Sequence, residues 1–223
     1  NFYFAGKVLR DHHAYGMLTV KEIITKSSNI GTAKVAMKLG ASRLHNYISE
    51  MGFGHRSGVS LPGEVRGILH PVKNWSKLEI SRIPMGHGIA ATPIQLVMAM
   101  SAMANGGNLM RPLLVDRLVD RDGNVVMQYE PTVVRKVIHD ETAQQMVETL
   151  VTVVSAEGTA RRAWLANYTV AGKTGTVDDF TDGWFVGFDP DITVGVWVGF
   201  DQKRSLGTSQ DGATVALPIW REF

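Results

Sequence analysis

The chain has 223 residues, of which 44% are hydrophobic and 20% charged, and this ordinary globular composition excludes a disordered, collagenous or coiled-coil protein. Lys and Arg total 23 against 21 Asp and Glu, and no basic run occurs, so the composition gives no sign of nucleic-acid binding. Cysteine is absent, which excludes disulfides, thiolate metal sites and a cysteine nucleophile.

The first half of the chain is predicted to be mainly helical. Apolar residues at helical spacing predict one helix over residues 20–26 and a second over residues 30–39, which Gly40 would end. Ser42 is the expected cap of a third helix, and the Gly- and Pro-rich stretch 52–71 predicts a loop.

A fourth helix has the clearest start in the sequence. Thr92 and Gln95 are spaced as a reciprocal capping pair, and Pro93 takes the first helical position, where its missing N–H costs nothing. We expect this helix to run through Met103 and to end at the Asn-Gly-Gly of residues 105–107.

The second half changes from helices to strands. Residues 113–119 and 125–129 flank an Asp-Gly turn and predict a hairpin, after which Asp140 is the expected cap of another helix. Three β-rich runs with short connections then predict an antiparallel meander, followed by a closing helix that Pro218 kinks or bounds. These four ranges are 168–176, 183–188, 192–200 and 211–223. The predicted class is α+β.

Two short polar clusters are candidates for chemistry. The Lys-Thr-Gly-Thr cluster (residues 173–176) ends a predicted strand, where an ammonium and two hydroxyls form a receptor for a carboxylate. Its glycine would let a ligand backbone approach the strand closely. The Ser-Ser-Asn cluster (residues 27–29) lies at a predicted helix junction, and taken alone it is explained as a helix cap.

The order of these clusters resembles the penicillin-recognising serine enzymes, whose signature is Ser-x-x-Lys, then a Ser-x-Asn type triplet, then Lys-Thr-Gly. Residues 20–33 (VKEIITKSSNIGTA) and 85–107 (MGHGIAATPIQLVMAMSAMANGG) are similar to class B penicillin-binding proteins, and the resemblance covers nearly the whole chain. It implies the serine transpeptidase (β-lactamase-like) fold. Residues 1–110 would form a mainly helical lobe with the Ser-Ser-Asn cluster, and residues 111–223 the hairpin, helix, Lys-Thr-Gly strand and closing meander and helix.

One element of the signature does not occur in these 223 residues, because no serine is followed three positions later by lysine. Ile30 and Gly31 stand at that spacing from Ser27 and Ser28. In the family the nucleophile precedes the triplet, so we expect a C-terminal portion of a transpeptidase domain, truncated at its N-terminus and inactive alone. Such a truncation would expose apolar surface and an unpaired sheet edge, with marginal stability as the result.

The resemblance implies a peptidoglycan D,D-transpeptidase whose serine forms an acyl-enzyme with a D-Ala-D-Ala stem peptide. By position, Ser27 would relay a proton, Asn29 would bind the acyl-side amide, and Lys173 would hold the terminal carboxylate. The remaining substrate contacts would come from Ser28, Thr174, Gly175 and Thr176, the last also supplying an oxyanion-hole N–H.

The resemblance also implies partners and a location. β-Lactams would act as substrate mimics, other cell-wall synthesis proteins would be partners, and neither a cofactor nor nucleic acid is expected. The parent would act outside the cytoplasmic membrane, anchored by an N-terminal helix, with motif surroundings closer to division-type than elongation-type members. A β-lactamase-type hydrolase and a non-catalytic scaffold of the same fold stay open as alternatives.

Three other patterns point to different chemistry with less support. Residues 86–91 (GHGIAA) match a relaxed dinucleotide-binding motif, but the helix signals come only at Thr92. The seven histidines show no paired ligand spacing. Asp178, Asp179 and Asp182 lack the alternation and distal glutamate of a calcium loop, so we expect a solvated turn there.

Overall fold

The computed structural model describes residues 1–177 and 179–223. Its α-helices are α1 (Val20–Thr25), α2 (Asn29–Leu39), α3 (Ala41–Glu50), α4 (Glu79–Arg82), α5 (Pro93–Ala104), α6 (Asp140–Val154), α7 (Gly212–Val215) and α8 (Leu217–Glu222). Its strands are β1 (Phe2–Phe4), β2 (Lys7–Leu9), β3 (Ile68–Leu69), β4 (Ile89–Ala90), β5 (Asn108–Met110), β6 (Arg117–Val119), β7 (Val125–Gln128), β8 (Val133–Lys136), β9 (Ala171–Thr176), β10 (Asp182–Phe188) and β11 (Thr193–Gly199).

The largest sheet is the predicted antiparallel meander, with strand order β11-β10-β9. β10 lies in the middle, and its register with β9 pairs Gly183 with Thr176 and Phe188 with Ala171. Within the described residues β9 therefore forms one edge of the sheet, and the Lys-Thr-Gly-Thr cluster lies along that edge. The other strands form the two-stranded pairs β1-β2, β3-β4, β5-β8 and β6-β7.

Neighbouring residues of β10 point to opposite faces of the sheet, and helices pack against both faces. On one face Phe185 packs edge-to-face on Trp220 of α8 with ring centroids 5.1 Å apart, and Leu217 joins the same buried cluster. On the other face Phe188 and Leu150 of α6 form a second buried cluster. Each such side chain contributes about 1.5–3 kcal/mol by leaving water, so these contacts hold β9 in a fixed frame.

The start of α5 matches the prediction, and one of its two capping residues, Gln95, also binds a distant loop. Thr92 Oγ1 accepts the N–H of Gln95, and Gln95 Oε1 accepts the N–H of Thr92. The buried Gln95 amide also donates to the carbonyls of His55 and Arg66 at 2.6 and 2.9 Å. One side chain therefore joins the first turn of α5 to the predicted loop 52–71.

Some predicted boundaries are wrong. α3 begins at Ala41 with Gly40 before it and no side-chain cap, so Ser42 is not the cap. Asp140 is the first residue of α6 and not its cap, because the first helical hydrogen bond runs from the Ala143 N–H to the His139 carbonyl at 2.9 Å. The Asp140 carboxylate accepts a hydrogen bond from Lys136 Nζ at 2.7 Å. The helical reading of the first quarter also missed the short strands β1 and β2, which pair around a left-handed turn at Ala5.

The hairpin and the closing helical segment occur in the predicted order, but their strands and helices are shorter than predicted. The closing helix is divided into α7 and α8, and Pro218 lies in the first turn of α8, where a boundary was expected. In the β6-β7 hairpin every residue of both strands is exposed.

The structure gives no support to the two weaker alternatives, a dinucleotide site and a metal site. α5 begins at Pro93, and residues 89–90 before it form β4, so the glycines of the dinucleotide-like motif do not open a helix. Asp178 lies outside the described residues, and within them no group of three or more possible ligands could hold a metal ion. A helix with the length and hydropathy needed to cross a bilayer is also not found in the described ranges.

Candidate active site

The two polar clusters meet in the folded chain. Lys173 Nζ donates a hydrogen bond to Ser27 Oγ at 2.9 Å, although the two residues are 146 positions apart. The same ammonium donates to the carbonyl of Thr174 at 3.1 Å. An ammonium carries three N–H donors, so these two described partners leave one donor for a ligand. The contact places a cation and a hydroxyl together beside the edge strand β9.

Ser27 is held in place by the way α1 ends. Its N–H donates to the Ile24 carbonyl at 3.2 Å and the N–H of Ser28 donates to the Ile23 carbonyl at 2.9 Å, which together form a Schellman motif. In that motif the residue after the cap is left-handed and is usually glycine, but here Ser27 takes it with a φ of +54°. A serine in this conformation is strained by about 1 kcal/mol, and such strain is concentrated at functional sites.

The rest of the Ser-Ser-Asn cluster is used in building the junction. Ser28 is 2% exposed, and as the cap of α2 its hydroxyl accepts the N–H of Gly31 and donates to Asp11, both at 2.9 Å. The Asn29 amide donates to the Arg10 carbonyl at 3.3 Å. The Ser28 hydroxyl therefore has its one hydrogen and one of its two lone pairs in use within the junction, which makes it a helix cap, as the cluster taken alone predicts.

The electrostatics of Lys173 differ from those of a surface lysine. Burial lowers the pKa of Lys173 from 10.5 to about 8, because the charged form loses hydration. Its described hydrogen-bond partners are a hydroxyl and a carbonyl, and none of the ion pairs in the described residues includes it. The ammonium is still mostly charged at pH 7, and an incoming anion would supply the missing countercharge.

The two threonines of the Lys-Thr-Gly-Thr cluster each contact a different part of the chain. Thr174 Oγ1 lies 2.9 Å from the hydroxyl of Thr159, in the turn after α6. Thr176 Oγ1 accepts the N–H of Gly212, at the start of α7, at 3.1 Å. Because its oxygen accepts this bond, the Thr176 hydroxyl keeps its own hydrogen to donate to a ligand.

Gly175 has a packing reason besides the predicted close approach of a ligand. A Cβ on Gly175 would lie 3.1 Å from Trp184 Cβ on β10, which is tighter than ordinary contact. A larger residue at this position would therefore require Trp184 to shift by a few tenths of an ångström.

Sequence reasoning missed three residues that arrange these groups: Asp11, Thr159 and Gly212. Asp11 and Thr159 are single polar residues outside helices and strands, and Gly212 contributes only its backbone N–H, so none of them left a distinctive pattern in the sequence. The strained Ser27 did leave one, because a serine stands between two predicted helices where a glycine stop is expected.

Comparison with solved structures identifies the fold. The apo transpeptidase domain of penicillin-binding protein 3 from Burkholderia pseudomallei superposes with a TM-score of 0.83 at 30% identity, covering 99% of this chain and 66% of that one. Penicillin-binding protein 3 from Mycobacterium tuberculosis in complex with ampicillin gives 0.83 at 26% identity, covering 98% of this chain and 53% of that one. The fold is therefore that of the penicillin-recognising transpeptidase domains.

Sequence comparison gives the family. Residues 5–222 match the penicillin binding protein transpeptidase domain, and the chain belongs to that family. Stage V sporulation protein D of Bacillus subtilis is 37% identical over 215 residues, which are 92% of this chain and 33% of that protein. A probable peptidoglycan D,D-transpeptidase, PenA, of Neisseria meningitidis is 28% identical over 191 residues, 82% of this chain and 31% of that protein. The chain thus spans about a third of the length of these curated relatives.

Proposed function

We propose that this chain is the carboxylate-recognising part of a peptidoglycan D,D-transpeptidase whose serine nucleophile is supplied from outside these 223 residues. The observation that carries the proposal is the 2.9 Å hydrogen bond between Lys173 Nζ and Ser27 Oγ. It joins the second and third elements of the signature at one edge of the sheet.

The groups on the edge strand suit the C-terminal carboxylate of a D-Ala-D-Ala stem. Lys173 would provide the charge, and the Thr174 and Thr176 hydroxyls would donate hydrogen bonds to the carboxylate oxygens. Asn29 would bind the acyl-side amide with the carboxamide oxygen and the second N–H that its bond to Arg10 does not use. The free edge of β9 would pair with the extended peptide as an added strand.

The chemistry follows from placing a nucleophilic serine beside these groups. Its oxygen would attack the carbonyl between the two alanines, with the Thr176 N–H as one oxyanion donor, and form an ester while the terminal D-Ala leaves. Ser27 would pass a proton to that leaving amine. The amine of a second stem would then attack the ester, form the cross-linking amide and return the serine hydroxyl.

The same site accounts for β-lactam binding, since a strained amide beside a carboxylate mimics the stem. A β-lactamase-type hydrolase would use the same groups but would release the acyl group to water quickly. A non-catalytic scaffold would keep the fold without acylation. We also propose an extracytoplasmic parent, because stem peptides lie outside the cytoplasmic membrane.

Labelling with a fluorescent penicillin tests the proposal. The 223-residue chain should form no covalent adduct, whereas a protein that carries these residues with an upstream Ser-x-x-Lys should be labelled stoichiometrically. In that protein Lys173→Ala should slow labelling by at least ~10², the usual effect of losing a charge-stabilising contact. Lys38→Ala, at an exposed lysine in the last turn of α2, is the matched control and should label at the unsubstituted rate.

Three outcomes would count against the proposal. A stoichiometric adduct on the 223-residue chain would mean that one of its own serines is the nucleophile. An unlabelled longer protein would favour the scaffold. A label lost within minutes would favour the hydrolase.

A further inference from the structure

Thr159 is presented to β9 from a tightly built turn. Its hydroxyl lies 2.9 Å from Thr174 Oγ1. The turn is closed by a 2.9 Å hydrogen bond from the N–H of Ala160, which is fully buried, to the Val153 carbonyl. A Cβ on Gly158 would lie 2.0 Å from the same carbonyl oxygen, so only glycine fits there. The Thr159 side chain therefore has a rigid backbone behind it.

Binding of an anion would decide which of the two hydroxyls, Thr159 or Thr174, is the donor in the hydrogen bond between them. Each threonine has one hydroxyl hydrogen, so when Thr174 donates to an anion, the hydrogen between the two oxygens must come from Thr159. The result is a series of two hydrogen bonds, in which Thr159 donates to Thr174 and Thr174 donates to the anion. Hydrogen bonds in such a series polarise and strengthen one another.

Thr176 has the same arrangement with a different donor. There the N–H of Gly212 donates to Thr176 Oγ1 at 3.1 Å, which leaves the threonine hydrogen for a ligand. With an anion bound, both threonines of the Lys-Thr-Gly-Thr cluster would thus accept a hydrogen bond from another segment, one from a side-chain hydroxyl and the other from a backbone N–H.

We propose that Thr159 is a positioning residue for carboxylate recognition. It holds the rotamer of Thr174 and supplies the hydrogen that turns the Thr174 hydroxyl into a donor toward the ligand. This role rests on the proposed function, because it requires a carboxylate ligand at the Lys-Thr-Gly-Thr cluster. Loss of the Thr159 hydroxyl should weaken only that part of binding that depends on the carboxylate.

The test compares a penicillin with its methyl ester in the protein that carries the nucleophile. Thr159→Val keeps the side-chain shape and removes the hydroxyl. It should lower the second-order acylation rate constant for the free acid about fivefold to tenfold, the effect of one neutral hydrogen bond, and leave the ester rate unchanged. Thr159→Ser should restore the rate for the acid. Thr149→Val, the same change on α6, is the control and should alter neither rate.

Each result separates the two proposals. An unsubstituted protein that is never acylated refutes the proposed function and the role of Thr159 with it. Normal acylation with no effect of Thr159→Val on the acid overturns the positioning role alone. An equal loss for acid and ester, with a lower midpoint of thermal unfolding, also overturns it, because Thr159 would then be a structural residue.

Discussion

Lys173 combines a charge with partial burial, and its surroundings make the charge costly without a ligand. Its described hydrogen-bond partners are neutral, and burial alone lowers its pKa to about 8. A bound carboxylate would raise that pKa again, because an opposite charge nearby favours the ammonium. The free site and the occupied site should therefore titrate at different pH values.

Carboxylate recognition should weaken as the pH rises through about 8, where free Lys173 loses its proton. In the protein that carries the nucleophile, the second-order acylation rate constant for a penicillin should fall above that pH, since this constant reports the free enzyme. Lys173→Arg should abolish the fall, because a guanidinium stays charged. The measurement is a pH profile of both proteins, and an unchanged fall in Lys173→Arg would assign it to another group.

The stability of the fold should respond in the opposite direction. The unfolded chain, with Lys173 at its ordinary pKa of 10.5, binds more protons than the folded chain between about pH 8 and that value. The free energy of unfolding contributed by this group therefore rises with pH across the same window.

The residue-scale features differ in how far the sequence could reveal them. Lys173 and Ser27 stand out because their motifs occur in a recognised order, but their contact depends on tertiary folding across 146 residues. The capping role of Ser28 could be predicted from the cluster alone. The role of Thr159 could not, because a hydroxyl in a turn can support a neighbour or bind a ligand with the same local sequence.

At the scale of elements, the start of α5 connects two parts of the chain that lack regular structure of their own. Gln95 is 3% exposed, and its amide donates to the carbonyls of His55 and Arg66 while its oxygen caps the helix. The two functions can be separated by substitution, because Thr92 takes part only in the cap.

Thr92→Ala should lower the free energy of unfolding by about 1 kcal/mol, the usual cost of a lost cap. Gln95→Glu should cost more, about 2–4 kcal/mol, because it sets a buried carboxylate against two carbonyl oxygens. Urea unfolding gives both values from the shift in midpoint at constant slope. Gln202→Glu, at an exposed glutamine in the loop after β11, is the control, and equal costs for Thr92→Ala and Gln95→Glu would refute the second role.

Local chemistry explains which elements could be predicted. Thr92, Pro93 and Gln95 specify a helix start without help from the rest of the fold, and that prediction is confirmed. The start of α6 was misjudged by one residue, because an acidic residue suits both the cap and the first turn of a helix, and the sequence does not distinguish the two positions. Strands of three residues, such as β1, are too short to show an alternating pattern.

At the scale of the whole molecule, the β6-β7 hairpin exposes a run of neighbouring apolar side chains. Val126 is 68% exposed and Val119 55%, and the two strands pair only with each other in the described chain. A two-stranded hairpin with open edges and apolar side chains is a surface on which chains associate.

We expect the 223-residue polypeptide to self-associate at high concentration through this hairpin. Val126→Lys should reduce the association, since a charge on an exposed strand opposes pairing, and should change the free energy of unfolding by no more than about 0.5 kcal/mol. Leu61→Lys, at a residue 58% exposed in a loop, is the matched control. Sedimentation velocity over a concentration series measures both, and a chain that stays monomeric throughout would contradict the expectation.

The architecture as a whole was predictable where consecutive strands pair, as the β9-β10-β11 meander shows. Which strand would form the edge, and which helices would cover each face, was not, because side chains from distant segments decide it. The truncation and marginal stability expected from the sequence stay predictions.

The side chains of β9 are held by the α1–α2 junction, the turn after α6 and the first residue of α7. The hexapeptide itself contains none of these supports. If the six residues of β9 were grafted onto the edge of an unrelated sheet, the ammonium and both hydroxyls would rotate freely. The proposed anion selectivity would therefore depend on all of these segments together, and a transplanted motif would lack it.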